Sequence, residues 1–252
     1  MLLHHRVTGS GPALLLLHST ASDSGQWDAQ RDALAAEHTV VSPDLRGYGR
    51  SPLPPEPYSD AEDVLELLDH LGIATTAVVG SSGGGHVALE LASAAPERVG
   101  ALVLLCAAAP GVEPTPDLQD FAEREEALLL AGDVEAATAL NARTWLGPDA
   151  DDATRRRFRA MQRHAFEVQL AAGDEAVRRE LEVDLARVAA RTTVVFGRHD
   201  LAFFRAVAQH LVAELPAAEL VELPWAGHLP NLERPDETTE LIRRAVRPAA
   251  PA

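Results

Sequence analysis

Residues 80–84 read Gly80-Ser81-Ser82-Gly83-Gly84, between an apolar, β-branched run at 74–79 and an apolar helical segment at 81–95. This is G-x-S-x-G placed between a strand and a helix. A strand that turns sharply into a helix forces the middle residue into strained backbone angles. It also brings other backbone close, so the neighbours must be small, and Gly80, Gly83 and Gly84 meet that need. Ser82 then stands at the tip with its hydroxyl exposed. The first N–H groups of the helix point to where negative charge would develop. Taken alone, the pentapeptide fits equally a Gly/Ser-rich turn with no chemistry. A phosphate cradle fits less well, because the G-x-G-x-x-G spacing is absent.

Outward from this turn, strand-like and helix-like segments alternate. Strands are predicted at 14–17, 39–41 and 99–106, and helices at 27–36 and 60–71, the second stopped by Gly72. After a Pro-rich linker at 111–116 the pattern becomes helical and stays so to residue 190. Strands at 192–196 and 219–223 and helices at 201–215 and 235–246 then restore the alternation. The expectation is an α/β fold with a mostly parallel central sheet and helices on both faces. Its core is formed by 1–110 and 191–252, with a helical cap at 111–190. The tail at 248–252 is expected to fray.

Composition narrows the function. The chain has 252 residues, 46% of them hydrophobic, which is ample for a core and too apolar for disorder. Its 38 acidic residues against 22 basic ones give a net charge of −16, a field that nucleic-acid phosphates would oppose. Every basic residue is arginine, so Schiff-base and P-loop lysine chemistry are excluded. The single cysteine, Cys106, has no partner for an internal disulfide or a thiolate metal cluster. No apolar run reaches the ~20 residues of a membrane helix. No leader-like segment opens the chain, so a soluble, cytoplasmic protein is expected.

A serine is a poor nucleophile until a base takes its proton, and the base needs an orienting acid. The sequence supplies both in the order serine, acid, histidine. Asp200 closes Gly197-Arg198-His199-Asp200 after one predicted strand, and His228 lies in Ala226-Gly227-His228-Leu229-Pro230 after the last. All three sit at carboxyl ends of strands, where parallel sheets place their sites. Separately, His228 fits a surface loop, and Asp200 fits the N-cap of the next helix.

These features together resemble the α/β-hydrolase superfamily, from about Leu14 to Val246. The likeness rests on His18-Ser19-Thr20 followed by Trp27, on residues 43–51 (PDLRGYGRS), on the turn at Ser82, on 197–200 and on Gly227-His228. It implies Ser82 as nucleophile, His228 as base and Asp200 as its partner. It further implies an oxyanion hole from the backbone N–H groups of Gly83 and Thr20. The sequence departs from the common His-Gly pattern by carrying Ser19, a feature shared with lactonase-like members. Trp145-Leu146-Gly147-Pro148 and the Arg-rich helix after it are similar to the cap of 3-oxoadipate enol-lactonase-type enzymes.

Other residues admit plainer roles. His18 reads as a hydrogen-bonded structural residue, His4-His5 as an exposed pair, and Asp44 with Arg46 as an ion pair or turn former. No H-x-x-x-H or H-E-x-x-H pattern is present, so neither a metal nor a cofactor is expected. In the insertion, Trp145, Phe158 and Met161 are candidate substrate-binding residues; Phe158 and Met161 share a helix face. Core packing within the cap is the competing account of them. Arg155, Arg159 and Arg163 form a solvated stripe or, alternatively, an anion site.

The expected function is hydrolysis of a small carboxylic ester or lactone through an acyl-enzyme, with homo-oligomerisation left open. Carbon–carbon bond hydrolysis and cofactor-free perhydrolysis use the same three residues and remain alternatives, as does a non-catalytic ligand-binding role.

Overall fold

Leu14 and Leu16 point to one side of strand β2 (Ala13–Leu17), Leu15 and Leu17 to the other, and all four are fully buried. Successive side chains leave a strand on opposite faces, so such a run is stable only where both faces are covered. The same alternation holds in β4 (Thr76–Ser81), β5 (Val99–Leu105) and β6 (Arg191–Gly197), where Val78, Leu102, Leu104 and Val194 face one core and Val79, Val103, Leu105 and Val195 the other. Each fully buried leucine contributes roughly 1.5–3 kcal/mol.

The computed structural model describes residues 2–53, 55–172 and 176–247. The tail at 248–252, expected to fray, lies outside the described residues. With β1 (His5–Thr8), β3 (Thr39–Pro43) and β7 (Ala218–Leu223), the strands form a seven-stranded sheet in the order β1-β3-β2-β4-β5-β6-β7. Every neighbouring pair is parallel except β1 with β3. Helix α1 (Asp28–Leu34) and the last long helix, Pro235–Ala245, cover one face with Leu34, Leu241 and Ile242. Helices α2 (Asp60–His70), α3 (Gly83–Ala94) and the helix Ala202–Glu214 cover the other. Between β5 and β6 lie α4 (Pro116–Leu130), α5 (Val134–Trp145) and α6 (Asp152–Ala172). The helix Ala202–Glu214 is therefore α7, a short helix Pro230–Glu233 is α8, and Pro235–Ala245 is α9.

The structure differs from expectation in three places. Strand β1 was not foreseen; it is a four-residue edge strand with exposed Arg6 and Val7, too short and too mixed to show a period. Helix α8 was missed for the same want of length. Residues 176–190, expected to be helical, are not: apart from a 3-10 turn at Leu185–Arg187 they form irregular chain packed against the core. Part of their backbone bonds to α3 side chains, Leu181 N–H to Glu90 at 2.7 Å and Asp184 N–H to Ser93 at 2.9 Å, and part pairs with the backbone of Tyr58. Among the described residues, no helix is long and apolar enough to cross a membrane.

Candidate active site

Ser82 sits between β4 and α3 with φ +53° and ψ −119°, a backbone region that costs of order 1–3 kcal/mol for a residue with a side chain. Bonds on both sides hold it there: Ser82 N–H to Leu105 O at 3.0 Å, and Ala108 N–H to Ser82 O at 3.0 Å. The glycines are a packing requirement. A Cβ on Gly80 would meet Gly84 O at 2.5 Å, and one on Gly84 would meet His18 O at 2.4 Å. The Ser82 hydroxyl does not cap its own helix, and Ser82 lines a deep cleft under the insertion.

Asp200 follows β6 and His228 follows β7, and the fold joins them: His228 Nδ1 lies 2.7 Å from Asp200 Oδ2. Both side chains are shielded, at 2% and 1% exposure, so the contact is made out of water. The other Asp200 oxygen accepts the N–H of Leu201 at 2.7 Å. Asp200 thus serves the start of α7 and the imidazole together. A carboxylate at Nδ1 selects the Nδ1–H tautomer and leaves Nε2 as the basic nitrogen. The ring is bracketed by Phe204 at 4.1 Å and Trp145 at 4.6 Å between centroids. Ser82 and His228 line the same cavity without a hydrogen bond between them. Serine–base contacts of this kind commonly tighten only with substrate bound.

Gly83 begins α3, so its N–H has no partner within the helix. Thr20 lies against it: a Cβ on Gly83 would meet Thr20 Cγ2 at 2.4 Å. Both residues line the cavity beside Ser82. Ser19, the departure from His-Gly, turns its hydroxyl into the loop, where it accepts the Ala21 N–H at 3.1 Å. Gln26 accepts the Ser19 N–H at 2.9 Å and donates to Asn231 of α8 at 3.1 Å, tying the Thr20 loop to the histidine loop.

The histidine loop is also tied to the insertion. His228 N–H donates to Trp145 O at 3.0 Å. Glu233 of α8 accepts the Gly227 N–H and packs against Gly147, where a Cβ would lie 2.3 Å from its carboxylate. Burial pushes the Glu233 carboxyl above its ordinary range, and hydrogen bonds from Gly227, Gly147 and Leu229 offset part of that.

The cavity holds about 470 Å³. Trp145 lines it, with its Nε1 donating to Asn141 at 2.6 Å. Phe158 and Met161 do not: Phe158 is fully buried in the core, and Met161 sits beside Gly25. Gln162, Phe166 and Gln169 are the α6 residues on the cavity wall. The arginine stripe does not line this cavity. Arg155 donates to the carbonyls of Ala150, Ala142 and Gly147, and Arg159 and Arg163 pair with Glu135. The arginine that does reach the cavity is Arg178, from the segment at 176–190. Sequence reasoning also missed Phe121, Phe204 and Glu233, which carry no motif.

His18 is a structural residue: Nδ1–H donates to Ser19 O and Nε2 accepts the Leu45 N–H, an arrangement for the neutral ring, and burial lowers its pKa. His4 is half-buried and bonded to Asp44 at 2.9 Å, which corrects its reading as an exposed residue. Asp44 does not pair with Arg46. Burial alone would raise the Asp44 carboxyl, but bonds from Ser24 and Arg50 outweigh it and hold it low, while Arg46 pairs with Asp63. Among the described residues, Cys106, Asp200 and His228 are close enough to share an ion. Burial, reinforced by the Asp200 charge, keeps the Cys106 thiol protonated, whereas a metal requires the thiolate.

A nucleophile elbow in a parallel sheet, with a carboxylate–imidazole pair after the last two strands, defines the class of α/β hydrolases. The model of the Alpha/beta hydrolase family matches residues 14–241, and the chain belongs to that family of enzymes. It is 30% identical over 233 residues to the putative carbamate hydrolase RutD of Caulobacter segnis, covering 87% of this chain and 85% of the relative. Among solved structures it is similar to a hydrolase from Pseudomonas aeruginosa PA01, with 33% identity, TM-score 0.78, and coverage of 97% of this chain and 94% of the other. It is similar also to the enol-lactonase from Burkholderia xenovorans LB400, with 26% identity, TM-score 0.80, and coverage of 97% and 96%.

Proposed function

We propose that the protein hydrolyses a small carboxylic ester or lactone through an acyl-enzyme on Ser82, without a cofactor. The observation that carries this reading is the buried 2.7 Å contact between His228 Nδ1 and Asp200, with the ring opening onto the cavity that Ser82 lines. Ser82 Oγ attacks the carbonyl carbon as His228 Nε2 takes its proton, and Asp200 holds and stabilises the imidazolium. The N–H groups of Gly83 and Thr20 receive the oxyanion; one such donor typically accounts for ~3 kcal/mol of barrier. His228 returns the proton to the leaving alkoxide, the acyl–Ser82 ester remains, and water activated by the same ring releases the acid. The insertion at 111–190 acts as a cap that limits water and shapes the pocket.

A carbamate is the second reading, supported by the name of the Caulobacter relative. Matched aryl acetate and aryl carbamate substrates separate the two by turnover. The test of the central reading is covalent labelling by a fluorophosphonate probe together with ester kinetics. Ser82 should be labelled, and Ser82→Ala should lose more than ~10³-fold in kcat. Full turnover by that variant would refute the assignment.

A further inference from the structure

Gln162 projects from α6 onto the wall of the Ser82 cavity and is 3% exposed. Its carbonyl oxygen is buried without a hydrogen-bond partner. On the same wall His86 Nε2 is also buried without a hydrogen-bond partner, 3.7 Å from Glu90, whereas Asn141 and Arg178 are engaged. Asn141 bonds to Glu125, Ala137 O and Trp145. Arg178 directs Nε to Asp60 at 2.7 Å, Nη1 to Glu180 at 2.8 Å and Nη2 to Glu90 at 3.2 Å. Among the described residues it is the one arginine on this wall, and it is surrounded by carboxylates.

A buried amide oxygen without a donor destabilises the fold, so its presence at a cavity wall points to a ligand group that completes it. The amide offers one acceptor and two donors. A substrate carboxylate would use only the donors, and would face Glu125 and Glu180 with no unengaged guanidinium to balance its charge. An apolar chain would leave the amide unmatched. A primary amide, which both donates and accepts, satisfies it.

We propose that Gln162 is a specificity-determining residue that binds an uncharged carboxamide on the substrate, away from the scissile carbonyl. The proposal rests on the assignment of Ser82 as nucleophile and narrows the substrate to esters or lactones bearing such a group.

The test uses three methyl esters of one shape: methyl succinamate (amide end), monomethyl succinate (carboxylate end) and methyl 4-methylpentanoate (apolar end). Wild type should favour the amide over each of the others by ~10-fold in kcat/KM. Gln162→Met should abolish the amide-over-apolar preference and raise the thermal midpoint, because an unmatched polar group leaves the interior. A merely structural glutamine would instead lower that midpoint. Gln162→Leu repeats the comparison with a second side-chain shape. An amide preference unchanged in both variants, or a wild-type preference for the carboxylate, overturns the proposal while leaving Ser82 in place. Calorimetric binding of the same esters to the Ser82→Ala protein keeps the two readings apart. Amide-selective binding that Gln162→Met removes supports the subsite even if no ester is turned over, and binding without selectivity overturns it.

Discussion

Glu233 grips the N–H of Gly227, the residue before His228, with both carboxylate oxygens at 3.0 and 3.1 Å. The histidine is therefore held by Asp200 at the ring, by Trp145 O at its own N–H and by α8 at the preceding residue. Glu233→Ala leaves the Gly227 and Gly147 N–H groups without their buried acceptor. The expected cost is about 1–3 kcal/mol in urea denaturation. Ester kinetics should show a larger fall in kcat than rise in KM, because the base is displaced and the pocket walls are not. Glu233→Gln, which keeps one acceptor oxygen, should fall between.

Asp200→Asn tests the ring contact itself. The amide can no longer select the Nδ1–H tautomer, and it cannot stabilise the imidazolium. A loss on the order of 10³–10⁴ in kcat is expected, with the fold retained by circular dichroism. Because the Asn oxygen can still receive the Leu201 N–H, the thermal midpoint should change little. A variant with near-normal kcat would remove Asp200 from the mechanism.

Thr20 and Gly83 form a coupled pair. A methyl at position 83 would lie 2.4 Å from Thr20 Cγ2, so Gly83→Ala must push the two N–H groups apart. We expect it to lower kcat/KM by ~10-fold or more. Thr20→Ser removes Cγ2 and makes room. In the double variant, part of the loss should return, with an interaction energy of about 1 kcal/mol across the cycle. Strict additivity would mean that the contact does not govern the hole.

Residues at chain-local signals were readable from the sequence, and residues placed by docking were not. The Ser82 turn advertises itself, since Gly80 and Gly84 are demanded by backbone only a few residues away or at the end of the adjoining strand. Asp200 and His228 lie in the loops that follow β6 and β7, strands foreseen from the sequence, and both fall at the carboxyl edge of the sheet. In α6, spacing groups Phe158, Met161 and Ala165 on one face and Gln162, Phe166 and Gln169 on a neighbouring one. Nothing in that periodicity says which face looks onto Ser82, and hydrophobicity favoured the wrong one. Arg178 and Glu233 act through partners more than 80 residues away and six residues back, respectively, with no pattern linking either pair. Asp44 and Arg46 are near in sequence, yet the loop wraps Asp44 inward to Ser24 and His4 and sends Arg46 to α2.

Asp60, at the base of the Arg178 cluster, makes the fold sensitive to pH. Burial pushes its carboxyl from 3.8 up to about 6, against the opposing pull of Arg178. An acid raised in this way keeps its proton in the folded chain at pH values where the unfolded chain has lost it. The associated stability is fully present below about pH 4 and is lost as pH rises to about 6 and beyond. A gap of about two units corresponds to at most about 3 kcal/mol. Asp60→Asn is neutral throughout and can still accept the Arg178 Nε–H, so its stability should lack this decline. Urea midpoints at pH 4, 5, 6 and 7.5 give the check: the variant should gain steadily on wild type up to about pH 6 and then run parallel to it. A difference that stays constant over the whole range would show that Arg178 holds Asp60 ionised, and that burial does not dominate at this position.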